Sequence, residues 1–118
     1  MPLSYDQVQA EIETTCVRLE ELVEEILVAA REAAAAEANY KIALAKSRLK
    51  YRDDCRRTHT KTNMDDVTDH AMVETEDLFQ PHLLAANNLM TLREALRACQ
   101  ARLDGLRSLS AAFRSAGG

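Results

Sequence analysis

Apolar and small residues recur along the first half of the chain at Val8, Ile12, Thr15, Leu19, Leu22, Ile26, Ala29, Ala33, Ala36, Tyr40 and Ala43. The steps alternate four and three, the spacing that keeps one face of a helix turned toward a partner helix. No Gly or Pro interrupts residues 5–57. The pattern therefore predicts one helix over about 5–57, roughly 75 Å long at about 1.5 Å per residue. Ser4 stands three residues before Gln7, the spacing of a capping box that would satisfy exposed amides of the first turn. The same four–three stepping returns at Ala85, Leu89, Leu92, Leu96, Cys99, Leu103, Leu106, Ser110 and Phe113. Between the two series, Arg57 to Met64 is polar and rich in Thr, with Asn63 and His59. Such side chains compete for backbone hydrogen bonds, so a turn is expected at about 58–64. Thr62 and Asn63 each precede an aspartate by three residues, which marks a second helix start. A helix over about 65–80 follows, with Val67, Ala71, Glu74 and Leu78 on its seam. Pro81 should break it near Phe79 and Gln80, and a last helix should run over about 81–114 with a fraying end at 115–118.

These elements predict an all-α fold, a single domain over 1–118 built as a long antiparallel, coiled-coil-like helical hairpin with its second arm broken near Pro81. Two helices cannot enclose a long seam on all sides, so self-association is expected. The seam residues assigned to the homo-oligomer are Leu19, Leu22, Ile26, Ala29, Ala33, Leu89, Leu92, Leu96, Leu103 and Leu106. The small patch Ala33 to Ala36 would allow close approach of another helix.

Composition narrows the function classes. Aromatic residues are 4% of the chain and there are three Gly and two Pro, too few turn residues for a β-rich fold. No apolar run is long enough for a membrane span, and the start of the chain lacks the basic and apolar regions of a secretory signal. The three cysteines, 16, 55 and 99, form an odd and widely spaced set, which suits a reducing cytoplasm better than a disulfide framework. Cys16 and Cys99 fall on or beside the seam, whereas Cys55 lies among arginines. His59, His70 and His82 lack metal-ligand spacing, and no phosphate loop or nucleophile elbow is present. No catalytic set, metal, cofactor or small-molecule substrate is expected, so the chain reads as a non-enzyme.

Charge is where the sequence departs from a plain hairpin. The net charge of −4 hides four blocks: −7 over residues 1–37, +6 over 38–62, −6 over 63–79 and +3 over 80–118. The basic block holds Lys41, Lys46, Arg48, Lys50, Arg52, Arg56, Arg57 and Lys61, with Tyr40 and Tyr51 interleaved. Cations along a helix attract phosphates, and a tyrosine offers a face to an unpaired base. The same cations also suit a helix C-terminus, and the acids at 65–77 could neutralise them across the turn. The acidic run Glu20, Glu21, Glu24 and Glu25 reads as a solvated helix face or as a site for a basic partner.

The order of features resembles one family. An acidic helix leads into Ala33-Ala34-Ala35-Ala36-Glu37-Ala38-Asn39-Tyr40-Lys41, and a basic stretch ends at Lys50-Tyr51-Arg52. A polar turn, an acidic helix, Ala85-Ala86-Asn87-Asn88-Leu89 and Leu103-Asp104-Gly105-Leu106-Arg107-Ser108 follow. This order, over roughly residues 30–110, resembles small helical phage proteins, in particular the UvsY-like recombination mediators. The resemblance implies an oligomeric helical protein of the host cytoplasm that binds single-stranded DNA in recombination or replication. It also implies a RecA-type recombinase and a single-strand-binding protein as partners. Lys46, Lys50, Arg52, Arg56 and Arg57 would then contact DNA, with Tyr51 and Lys61 beside them as candidates from the charge pattern. The overall negative charge departs from what such a binder needs, so the acidic first helix would have to face away from DNA. The alternative is a helical protein-interaction module: a scaffold, an adaptor or a phage-encoded inhibitor of a host protein.

Overall fold

The computed structural model describes residues 3–117, and among them every regular element is helical. Helix α1 spans Tyr5–Arg57, α2 spans Met64–Glu74 and α3 spans Glu76–Gly117. The expected capping box is formed: the Ser4 hydroxyl accepts from the Gln7 amide at 3.3 Å and the Gln7 side chain accepts from the Ser4 amide at 2.8 Å.

At its other end α1 closes with a Schellman arrangement. The Thr60 amide donates to the Cys55 carbonyl at 2.9 Å and the His59 amide to the Arg56 carbonyl at 3.4 Å. This reversal requires a left-handed residue, and His59 supplies it with φ of 57°. Asn63 then caps α2, its side chain accepting from the Asp66 amide at 2.8 Å. Asp65 and Asp66 lie in the first turn, where exposed amides favour negative charge.

The second arm breaks at Thr75 rather than at Pro81, which lies inside α3. A proline ring crowds the carbonyl four residues before it, here Asp77, so its disturbance falls a turn upstream of the ring. Thr75 reinforces the break, because its hydroxyl and its amide both donate to the Ala71 carbonyl, at 2.7 and 3.0 Å. The inward positions shift with it. Glu74 and Leu78, expected on the seam, are exposed, and Thr75 is buried in their place. The C-terminal stretch expected to fray is helical through Gly117, and Gly118 lies outside the described residues.

The chain expected to be one domain divides into two compact units, residues 1–28 with 89–118 and residues 29–88. In the first unit α1 and α3 run antiparallel. Tyr5 meets Phe113 edge to face, Gln9 donates to Ser110 at 2.7 Å, Glu11 pairs with Arg102 at 2.8 Å, and the Cys99 thiol points to the Thr15 carbonyl. Val8, Thr15, Leu22, Leu103, Leu106 and Ser110 are its buried residues. In the second unit α1 runs antiparallel to α2 and the start of α3. Tyr40 stacks on His82 at 5.4 Å, Ser47 donates to Glu74 at 2.6 Å, and Tyr51 stacks on His70 at 4.2 Å. Ala29, Ser47, Cys55, Val67, Ala71 and Thr75 are its buried residues.

All the four–three positions read from the first helix are buried or half-buried, and so are those from Ala85 to Phe113. Of the ten residues assigned to a seam between copies, Leu22, Ala29, Leu103 and Leu106 are buried and the other six half-buried in the single chain. Toward the turn the inward positions step by four: Ala43, Ser47, Tyr51 and Cys55 on α1, Val67, Ala71 and Thr75 opposite.

Two stability measurements probe this construction. His59→Gly removes the left-handed penalty at the cap and should stabilise the chain by about 1 kcal/mol in urea unfolding; a lower midpoint would show that the histidine side chain stabilises the turn. Leu22→Ala, at a fully buried site, should cost about 3 kcal/mol.

Candidate functional site

The basic block occupies the last turns of α1, in the second unit, and the structure divides its cations into two groups. Three are neutralised locally. Lys41 pairs with Glu37 at 2.6 Å, Arg57 pairs with Asp54, and Arg56 lies 4.0 Å from Asp53. All are exposed pairs within one helix, screened by water and of little weight for stability. Lys46, Arg48, Lys50, Arg52 and Lys61 have no carboxylate within ion-pair distance among the described residues.

The helix geometry arranges these free cations around Leu49, which is 60% exposed. Lys46 and Lys50 lie one turn apart on one flank, and Arg48 and Arg52 lie one turn apart on the other. Lys46 and Lys50 line a groove of about 540 Å³ whose opposite wall carries Glu74, Thr75, Asp77 and Leu78. Arg52 lies over a second depression with Arg56, Thr60, Thr62, Asn63 and Met64, and its guanidinium rests on the Met64 sulfur. Arg48 is half-buried and its Nε has no hydrogen-bond partner. Lys61 stands exposed in the connection between α1 and α2.

Two sequence expectations change. Tyr51 is half-buried with its ring against His70, 17° from parallel, so that face is not open to a nucleic-acid base. Cys55, set among arginines in the sequence, is 6% exposed. The acids at 65–77 do not neutralise the basic block by direct ion pairs. Glu74 comes closest: its carboxylate accepts the Ser47 hydroxyl and lies 3.3 Å from His70 Nε2. That hydroxyl, and after it the nearby Lys50 and His70, hold the Glu74 carboxyl below the usual carboxylate range against partial desolvation. Lys41 does the same for Glu37 through its hydrogen bond.

Sequence reasoning missed one feature of this region. On the face of α1 away from its partners, Ala35, Ala38, Ile42, Ala45 and Leu49 repeat the four–three stepping, and all are exposed. The signal was a second periodic series beside the stronger inner one.

The described helices include none long and apolar enough to cross a membrane. Among the described residues no group of three His, Cys, Asp or Glu side chains is placed to hold a metal ion. Comparison with protein families, curated proteins and solved structures finds no match for this chain.

The Glu74 environment gives a titration test. Ser47→Ala should move the Glu74 carboxyl back up toward the ordinary range, followed by carboxyl-carbon NMR. A folded-state value below the unfolded one contributes stability above the unfolded value and loses it as pH falls through the folded value. The variant should therefore lose less stability on acidification than the parent. An unmoved Glu74 would refute the hydroxyl's role.

Proposed function

We propose that the turn-proximal face of α1 binds single-stranded DNA, and that the protein is a non-enzymatic, phage-type accessory factor of recombination or replication acting in the host cytoplasm. The observation that carries this reading is the set of free cations: Lys46 and Lys50 on one side of Leu49, Arg52 on the other, and Lys61 beyond the helix end. Side chains one helical turn apart stand about 6 Å from each other along the axis, close to the step between phosphates of an extended strand. Binding would work by phosphate neutralisation and counterion release, which is sequence-independent and falls steeply with salt. Tyr51 takes a positioning role in this version, holding the helix against His70 rather than stacking on a base. Arg56 and Arg57 would join by exchanging Asp53 and Asp54 for phosphate. The resemblance to recombination mediators supplies the further partners, a recombinase and a single-strand-binding protein.

A second reading, a helical protein-interaction module, is favoured by the exposed Ile42 and Leu49 on the same stretch of α1. Such side chains suit the apolar face of a partner helix.

Fluorescence anisotropy with a labelled oligonucleotide separates the two. The nucleic-acid reading expects binding at low salt. Lys46→Glu with Lys50→Glu should weaken it at least tenfold and make the salt slope shallower by about 1.4, two phosphates at about 0.7 each for a single strand. Absent binding at low salt, or binding that ignores salt, would leave the interaction-module reading.

A further inference from the structure

Within the first compact unit each long helix carries an exposed four–three series besides its inner one. On α1 it is Ala10, Glu13, Val17, Glu20, Glu24 and Leu27, and on α3 it is Met90, Arg93, Arg97, Gln100, Asp104 and Arg107. Val17, Leu27 and Met90 are each more than half exposed. Glu13, Glu20 and Glu24 have no cationic partner, and Arg93, Arg97 and Arg107 no acidic one, among the described residues. The α1 series runs two residues before its inner series, and the α3 series one residue after. At about 100° per residue these offsets turn the α1 series about 160° and the α3 series about 100° from the inner faces, in the same sense seen from each helix's own start. Because the helices run antiparallel, both series lean to the same side of the pair.

We infer that this side of the first unit is the docking surface for the same side of a second copy, with the acidic series of α1 lying on the arginine series of α3 in the partner. The argument for that occupant is charge complementarity in register. A two-fold axis parallel to the helices sets α1 of one copy over α3 of the other twice, the arrangement of a four-helix bundle. Such an axis keeps every level along the helices, so the contacts inside one unit fix which residues meet between copies. Tyr5 lies opposite Phe113, and Thr15 opposite Cys99. In that register Glu20 comes level with Arg97 of the other copy, Glu24 with Arg93, and Leu27 with Met90. Glu13 falls level with Asp104, and Arg107, one turn on and level with Ala10, stands between Asp6 and Glu13 and offsets that acidic end. Packing α1 on α1 would instead set acids on acids, and like charges across an interface are strongly disfavoured. Val17, Leu27 and Met90 lose contact with water in the pairing. None of these residues belongs to the nucleic-acid face, so the pairing stands apart from that reading.

Sedimentation equilibrium on the full chain without nucleic acid tests the pairing. The parent chain should be a dimer at low salt and dissociate as salt rises. Glu20→Arg with Glu24→Arg makes both series basic, and Arg93→Glu with Arg97→Glu makes both acidic. Each double variant alone should be monomeric, with a dissociation constant raised about a hundredfold or more by like charges at both contacts. An equimolar mixture of the two should form a 1:1 heterodimer, and a chain carrying all four changes should dimerise again. Because rescue requires folded partners, a misfolded variant cannot imitate it. A monomeric parent at low salt, a parent that grows into open chains with concentration, double variants that stay dimeric alone, or failure of both rescues would each overturn the proposal.

Discussion

In each of its two units the structure depends on narrow helix–helix contact along one face of α1. That face is lined by few large side chains. Val8, Leu22 and Leu103 do the conventional burying in the first unit, but much of the inner face of the second is Ala29, Ala33, Ala36, Ala43 and Ser47. Alanine contributes little area per residue, so the contact gains its stability from length and closeness rather than from bulky anchors. Polar seam residues are tolerated because each finds a local acceptor. Thr15 and Thr75 donate to carbonyls one turn back, and Ser47 donates to Glu74 across to the second arm.

A core so thin leaves most of each helix in water. The seven charged pairs among the described residues, counting His70 with Glu74, lie at the surface; six are within one helix and Arg102–Glu11 joins two, so that electrostatics adds little to stability here. What charge does instead is label surfaces. The cations that matter for recognition are those that the fold leaves unsatisfied, and the local pairs of Lys41, Arg56 and Arg57 show why a count of basic residues overstates what a ligand would meet.

Much of the fold was legible from periodicity and capping. The start of α1, its end, the turn and the Asn63 cap all follow from residue types with a direct backbone role, and the inner face of both long helices follows from the four–three stepping. The break at Thr75 was not legible, because a proline announces a disturbance but the backbone chooses where to release it. Here a threonine able to donate to its own preceding turn took that place. The division of the basic block was also hidden. Whether Arg57 is free depends on Asp54, and whether Tyr51 is free depends on His70, and neither partner is marked by spacing alone. Leu19, Leu22 and the other inner residues are buried or half-buried within the single chain, as their periodicity on one face implies.

The change of step near the turn has a consequence for how the chain tolerates length change. Alternating steps of four and three average 3.5 residues, which winds paired helices into a left-handed supercoil; successive steps of four interrupt that winding and locally straighten it. Ala43, Ser47, Tyr51 and Cys55 on α1, and Val67, Ala71 and Thr75 on the other arm, follow that step of four. Seven residues removed from each arm of the first unit would preserve the phase of both faces. The same excision next to the turn would not, since no heptad there returns a side chain to its starting angle. The turn-proximal end is thus the part of the molecule whose dimensions are fixed, and it is also the part that holds the free cations.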